Sequence, residues 1–364
     1  MTTGTTAAAE PAVSPHARKR RAGRGAIVVA VSSLLLVGGV VLSAALGQLP
    51  ISAQDVVGSV LRAVGIDNAW APTDDLIEQT LWKIRFPRVA MSLLVGAALA
   101  IAGAVMQAVF GNPLAEPGVV GVSSGAALGA AAAISFGLSF LGGWTIAAFA
   151  FLGGLVATLL VYGTARAQGR TETVTLLLTG VAINAFAGAG LALITFLGDT
   201  QSREQIVFWQ LGSINGSRWN EVVIVAIVGV CATAIVASLA RQFDLLALGD
   251  RTASHLGIKV ERLRIASVVL VALLTGVGVA FVGIISFVGL VVPHLVRMLL
   301  GPAHRMLFAV SILGGAALLV WADLLARTLV PASDLPIGML TALVGGPFFY
   351  WLIRRNRRQA GGWA

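Results

Sequence analysis

The chain has 364 residues, of which 57% are hydrophobic and only 11% are charged, whereas a soluble domain carries about 25% charged residues. With 43 glycines and a mean hydropathy of +0.90, an ordinary soluble domain is excluded and a polytopic membrane protein is indicated. A net charge of +9 could suit nucleic acid, but the basic residues are segregated along the chain as a membrane-orientation signal is.

In chain order, residues 1–25 (MTTGTTAAAEPAVSPHARKRRAGRG) read as a disordered basic cytosolic tail. The apolar run that follows is long for the core of a signal peptide. Runs of spanning length are expected at 26–46, 88–110, 118–138, 145–165, 175–197, 221–241, 264–284, 307–326 and 336–353. The stretch 286–300 (SFVGLVVPHLVRMLL) makes a short tenth span, and 356–364 a cytosolic C-terminal tail. The polar connection 48–87 has apolar residues at helical spacing in 54–64, which predicts a surface helix followed by a loop. Cys231, the single cysteine, lies in an apolar run and can form no internal disulfide.

Ten spans put both termini on one side. With that side cytosolic, 18 of the 25 basic residues fall inside and 10 of the 16 acids outside, as the positive-inside rule requires. Arginines outside therefore ask for a reason, above all Arg85, Arg88 and Arg327 at the outer ends of two spans.

Chemistry is sparse. There is no phosphate-binding GxxxxGK[ST] loop, and the only lysines are Lys19, Lys83 and Lys259. The four histidines show no metal-ligand spacing, so no metal site and no catalytic set is expected. The span centres lack the carboxylates or histidines that an ion-coupled pump uses. Asp323, the nearest candidate, lies four residues before Arg327. A self-powered secondary transporter, the alternative class, is thereby disfavoured against a path driven by another chain.

Five stretches read together: RFPRVAMSLLVGAALAIAGAVMQAVFGNPLAEPGVVGVSSGAALG (85–129), FWQLGSINGSRW (208–219), LALGDRTASHLGI (246–258), GIISFVGLVVPHLVRMLLGPAHR (283–305) and ADLLARTLVPASDLPIGMLTALVGGPFFYWLIRR (322–355). Over 26–355 the chain resembles the permease subunits of iron–siderophore, haem and cobalamin ABC importers (FecCD-like permeases). The resemblance implies an all-α, ten-helix permease domain of the cobalamin-importer (type II) fold in a cytoplasmic membrane. It implies a homodimer or pseudo-dimer, two cytosolic ATP-binding subunits that use ATP and magnesium, and an external substrate-binding protein. The permease itself would hold no cofactor and catalyse nothing. The texture of NPLAEPG and GVSSGAALG places haem first as cargo, ferric siderophore second and cobalamin third.

The resemblance also distributes roles. Asn112, Pro113, Leu114, Glu116 and Pro117, with Thr173 and Val174, match a cytosolic gate, and Ser123 and Ser124 face its pathway; a capped helix junction is the alternative. Gly249, Asp250, Arg251, Ala253, His255, Leu256 and Gly257 match a lever that docks in the ATPase. Locally, Gly249 can end one helix, Asp250 can cap the next and Gly257 can stop it; the alternative is a plain connector. Arg85, Arg88 and Arg327 match residues that receive acidic groups of the binding protein, against snorkelling to headgroups. His294 is expected to make a structural hydrogen bond at the inner face, and Trp209 and Trp219 to anchor at an interface.

Overall fold

The computed structural model describes residues 15–167, 170–330 and 333–359; within these, the side chains of 15–22, 167, 170, 171, 173, 352, 353 and 355–359 are outside the description. The helices are α1 (Pro15–Ala45), α2 (Ala53–Ala63), α3 (Asp75–Thr80), α4 (Phe86–Phe110), α5 (Val122–Ser135), α6 (Thr145–Thr164), α7 (Thr173–Leu197), α8 (Thr200–Leu211), α9 (Trp219–Ser238), α10 (Ala240–Leu246), α11 (Asp250–His255), α12 (Val260–Val282), α13 (Val288–Leu300), α14 (His304–Thr328) and α15 (Ile337–Gln359). Seven are long and apolar enough to cross a bilayer, and α5, α13 and the apolar part of α15 are shorter. Each falls on one of the ten predicted spans. The one strand pairing among the described residues joins Arg166 to Thr171 and Ala167 to Arg170.

Several boundaries differ from the sequence expectation. Within the expected tail, residues 15–25 continue α1 backwards as helix, while residues 1–14 lie outside the described residues. At the other end α15 runs to Gln359, into the expected tail. The second span reaches back through a π-helical turn, Leu81–Arg85, into α3, so that Asp75–Phe110 is one 36-residue rod. The surface helix appears as α2, capped by the Ser52 hydroxyl accepting from the Asp55 amide at 3.0 Å.

α4 is the axis of the bundle. It packs on α9, α12, α13 and α14, and with parts of these helices it forms the main buried apolar cluster. Small residues make the approach possible. A Cβ on Gly103 would lie 1.8 Å from the Gly289 carbonyl oxygen of α13, and one on Gly96 would lie 2.3 Å from that of Gly315 in α14. Gly125 and Gly153 meet in the same way between α5 and α6. The small-residue texture of the sequence is therefore packing.

One pattern occurs twice. A long span (α4, α12) ends in irregular backbone, a short helix follows (α5, α13), and a long span returns (α6, α14). The short helices have 14 and 13 residues, about 20 Å each, against a hydrocarbon core of about 30 Å. Non-helical backbone must therefore cover the remaining depth, which is tolerated where it is buried in protein or lines a cavity. At the first break Pro113 and Pro117 interrupt the helix. At the second, Phe287 takes φ 68°, the one positive φ among described non-glycine residues.

Candidate functional site

The loop between α4 and α5 is built from short local bonds. Asn112 Oδ1 accepts from the Leu114 amide at 2.9 Å, the turn that asparagine favours. Asn112, Pro113 and Leu114 are exposed, Pro117 is buried, and Pro117–Val120 forms a single 3-10 turn before α5. Ser124, in the first turn of α5, donates to Asn184 Oδ1 of α7 at 2.5 Å, and Asn184 Nδ2 donates to the Gly118 carbonyl at 3.2 Å. Gly180 of α7 sits where a Cβ would be 2.0 Å from the Val119 carbonyl oxygen. α7 therefore meets this loop through Gly180 and Asn184, two residues the sequence reading missed. Asn184, the one amide inside that apolar span, was a signal available in the sequence. Ser123 is partly buried, Val174 stands 67% exposed on the first turn of α7, and the Thr173 side chain lies outside the described residues.

Glu116 carries a carboxyl that is largely covered, and burial raises its pKa above the ordinary carboxylate value. A raised folded-state pKa means the folded chain binds the proton more tightly, so stability is lost as pH rises from the unfolded pKa through the folded one. Glu116→Gln is accordingly expected to match the wild type below the normal carboxylate pKa and to unfold at a higher temperature above the raised one. Thermal unfolding across pH 4–8 checks this; parallel curves would show that the carboxyl is effectively solvated.

The segment 246–257 has the expected shape with one correction. Gly249 (φ 95°, ψ 153°) is the N-cap of α11, in a region of backbone space that is essentially glycine-only. Asp250 is not the cap: it opens the helix, and its carboxylate takes both its oxygens to Arg264 Nη2 at 2.9 and 3.1 Å. Gly257 follows the helix at φ 86°. Ala253 is the buried foot of α11, whereas Arg251, His255, Leu256 and Gly257 are exposed. Leu248 and Leu256 are 60% and 55% exposed, flanking the short helix with apolar side chains.

Each of the outer arginines has internal partners among the described residues. Arg88, 8% exposed, places Nε 2.9 Å from Asp323 Oδ1, Nη2 2.9 Å from the same oxygen, and Nη1 2.8 Å from Asp334 and 3.3 Å from Asn215. Arg85 donates to the carbonyls of Ala44 and Ala45 at the end of α1 and of Leu49 in the segment that follows. Arg327 donates to the carbonyls of Leu46 and Ser43 and to the Ser43 hydroxyl, with Asp323 3.7 Å away. These guanidiniums satisfy the carbonyls that α1 leaves at its C-terminal end and tie α1, α4 and α14 together. A docking carboxylate would have to displace an internal partner. Snorkelling is excluded by the same contacts.

His294 is 5% exposed and in range of the Pro113 carbonyl, yet neither ring nitrogen reaches hydrogen-bond geometry. That contact to the Pro113 backbone is the counterpart of the expected structural hydrogen bond, at looser geometry. Trp219 is held by protein: Nε1 donates to the Trp82 carbonyl at 2.7 Å and the two rings lie 6.1 Å apart.

The bundle has helices long and apolar enough to cross a membrane, with a proline-broken loop and a short, largely exposed helix beside one another at one end. Residues 34–355 match the model of the FecCD transport family, and the chain belongs to that family. It is 42% identical over 294 residues to the hemin transport system permease protein HmuU of Yersinia pestis, covering 80% of this chain and 87% of that protein. It is 43% identical over 279 residues to the cobalamin import system permease protein BtuC of Halobacterium salinarum, covering 76% and 74% respectively. A solved structure of an inward-facing metal-chelate type ABC transporter superposes with a TM-score of 0.78 at 32% identity, covering 90% of this chain and 99% of the other. The protein is a membrane-embedded permease of a BtuC-type ABC importer, which sets aside the self-powered alternative.

Proposed function

We propose that the chain is the path for an iron complex, haem first, in a binding-protein-dependent importer of the cytoplasmic membrane. The observation that carries the lever in this reading is α11: a short helix on a glycine-only hinge, flanked by exposed Leu248 and Leu256, with the gate loop at the same end of the bundle. That end holds most of the basic residues, and both termini lie in the cytosol by the positive-inside rule. Two ATP-binding subunits engage α11 there, using ATP and magnesium, while this chain binds no cofactor and catalyses nothing. A second copy supplies the other wall of the path. Ala182, Ala185, Ala189 and Ala192 form an exposed small-residue row on α7, which suits the close approach of another helix. A cavity of about 550 Å³ beside that row is lined by Gly188, Ala192, Thr195, Phe196, Arg203 and Gln210, mostly small and apolar groups with one cation at the edge. The external binding protein delivers the cargo to the opposite end. Asn112, Leu114 and Val174 act as the inner constriction. Haem stands first because of the hemin permease relative; ferric siderophore and cobalamin are the alternatives.

The test is uptake of labelled haem, a ferric siderophore and cobalamin by a deletion strain. Haem uptake alone is expected to fall, to return with the wild-type gene, and not to return with Gly249→Pro, although that variant reaches the membrane. Loss of a different uptake replaces the cargo, and normal uptake with Gly249→Pro removes the lever.

A further inference from the structure

A cavity of about 490 Å³ lies at the basic end, between the last turn of α4 and the lever. Gly111 and Pro113 of the gate loop form one side, Gly249 another, and Gln107, Asp250, Arg264, Arg297 and His304 supply its polar groups. These groups are not matched. Arg297 makes no hydrogen bond or ion pair among the described residues, and its Nε and Nη2 are buried. His304, 1% exposed, uses Nδ1 on Asp244 at 2.8 Å, which leaves Nε2 buried and without a partner. Gln107, 2% exposed, spends its amide nitrogen on the Leu290 carbonyl at 3.2 Å, leaving Oε1 in the same condition.

The charges are equally uneven. The two nearby carboxylates are already engaged, Asp250 by Arg264 at 2.9 Å and Asp244 by His304 at 2.8 Å. Arg297 alone faces the cavity with its charge uncompensated. A buried charge without a partner is costly, and a planar guanidinium is matched best by an oxyanion that takes two of its N–H groups at once. The cavity walls hold two guanidiniums and one imidazole, whose free Nε2 accepts the O–H of a protonated oxyanion.

We propose that this cavity binds a small oxyanion of the phosphate type between Arg297 and Arg264, with His304 closing on it. The same chemistry can arrive as free phosphate or as the phosphate of an anionic lipid. A neighbouring cleft of about 720 Å³ shares Ala247 with the cavity and carries Arg24 beside Met298 and Leu299, which are about half exposed; this is a route by which a headgroup could enter. Because Arg264 also holds Asp250, a bound oxyanion ties the first turn of α11 to α12 and α13 and resists its movement. That consequence rests on the lever reading; the binding does not.

The experiment places the full-length chain in phosphatidylcholine nanodiscs and follows thermal unfolding as inorganic phosphate replaces chloride at constant ionic strength. The wild-type midpoint is expected to rise by roughly 2 °C or more near saturation, and Arg297→Gln to abolish the rise. Discs containing phosphatidylglycerol separate the sources: stabilisation that added phosphate does not increase identifies a headgroup. No stabilisation by either, or an equal rise in Arg297→Gln, overturns the proposal. If the variant does not accumulate, a cryo-EM map of the wild-type chain in tungstate decides. Heavy density between Arg264 and Arg297 supports the site, and an empty cavity refutes it. Either binding result stands apart from the uptake test, which reads the lever and the cargo.

Discussion

Arg88→Ala is expected to leave almost no folded protein in the membrane. The substitution strips Asp323, which is 1% exposed, of its close partner and leaves only Arg327 Nε at 3.7 Å. Removing one member of a buried pair costs about 3–5 kcal/mol, because the remaining charge keeps no water and no close counter-ion. Arg88 also holds Asn215 and Asp334, in the connections before α9 and α15, so those outer segments lose their tie to α4 as well. The double variant Arg88→Met, Asp323→Leu is expected to recover much of the loss, since it removes both charges and refills the volume. Asp334→Asn is expected to be mild, because the Asp334 side chain is 31% exposed and water can replace the contact. The checks are the amount of protein in membranes and its thermal unfolding in detergent. An Arg88→Ala chain with wild-type stability that loses only its external partner would sink the internal account and restore the docking role.

Gly103→Ala tests the packing of the axis. Its Cβ would fall 1.8 Å from the Gly289 carbonyl oxygen and within 2.5 Å of the Gly289 Cα. Backbone, unlike a flexible side chain, cannot swing aside, so α4 and α13 must separate. Overpacking of a tight contact costs about 1–3 kcal/mol and occasionally more. Here the upper end is expected, because backbone meets backbone on both sides of the crossing: a Cβ on Gly289 would in turn lie 2.8 Å from the Leu99 carbonyl oxygen. Gly163→Ala on α6 is the control: its added Cβ meets nothing within 4 Å, and the change is expected to alter stability by less than about 1 kcal/mol. Thermal unfolding of both variants checks the contrast; equal effects would mean that the α4–α13 crossing yields easily.

The elements of this protein are legible along the chain because the bilayer acts on local composition. Twenty apolar residues span the membrane wherever they sit, prolines break a helix wherever they occur, and basic residues sort by side, so ten spans and two interrupted segments follow from the residues alone. The motif around Gly249 was equally readable, since a backbone conformation that only glycine tolerates leaves a glycine in the sequence. What each polar side chain does was not readable in the same way. Arg88 reads as an exposed docking group until α14 brings Asp323 against it from 235 residues away; Asp250 reads as a cap until α12 presents Arg264. Asn184 joins α7 to the loop between α4 and α5 only because Gly180 lets the two backbones meet. Burial and partnership are properties of neighbours distant in the chain. The sequence by itself therefore determined the spans, their breaks and the family, because these follow from local composition, and the tertiary structure decided which charges are staples and which guanidinium is left facing an open cavity.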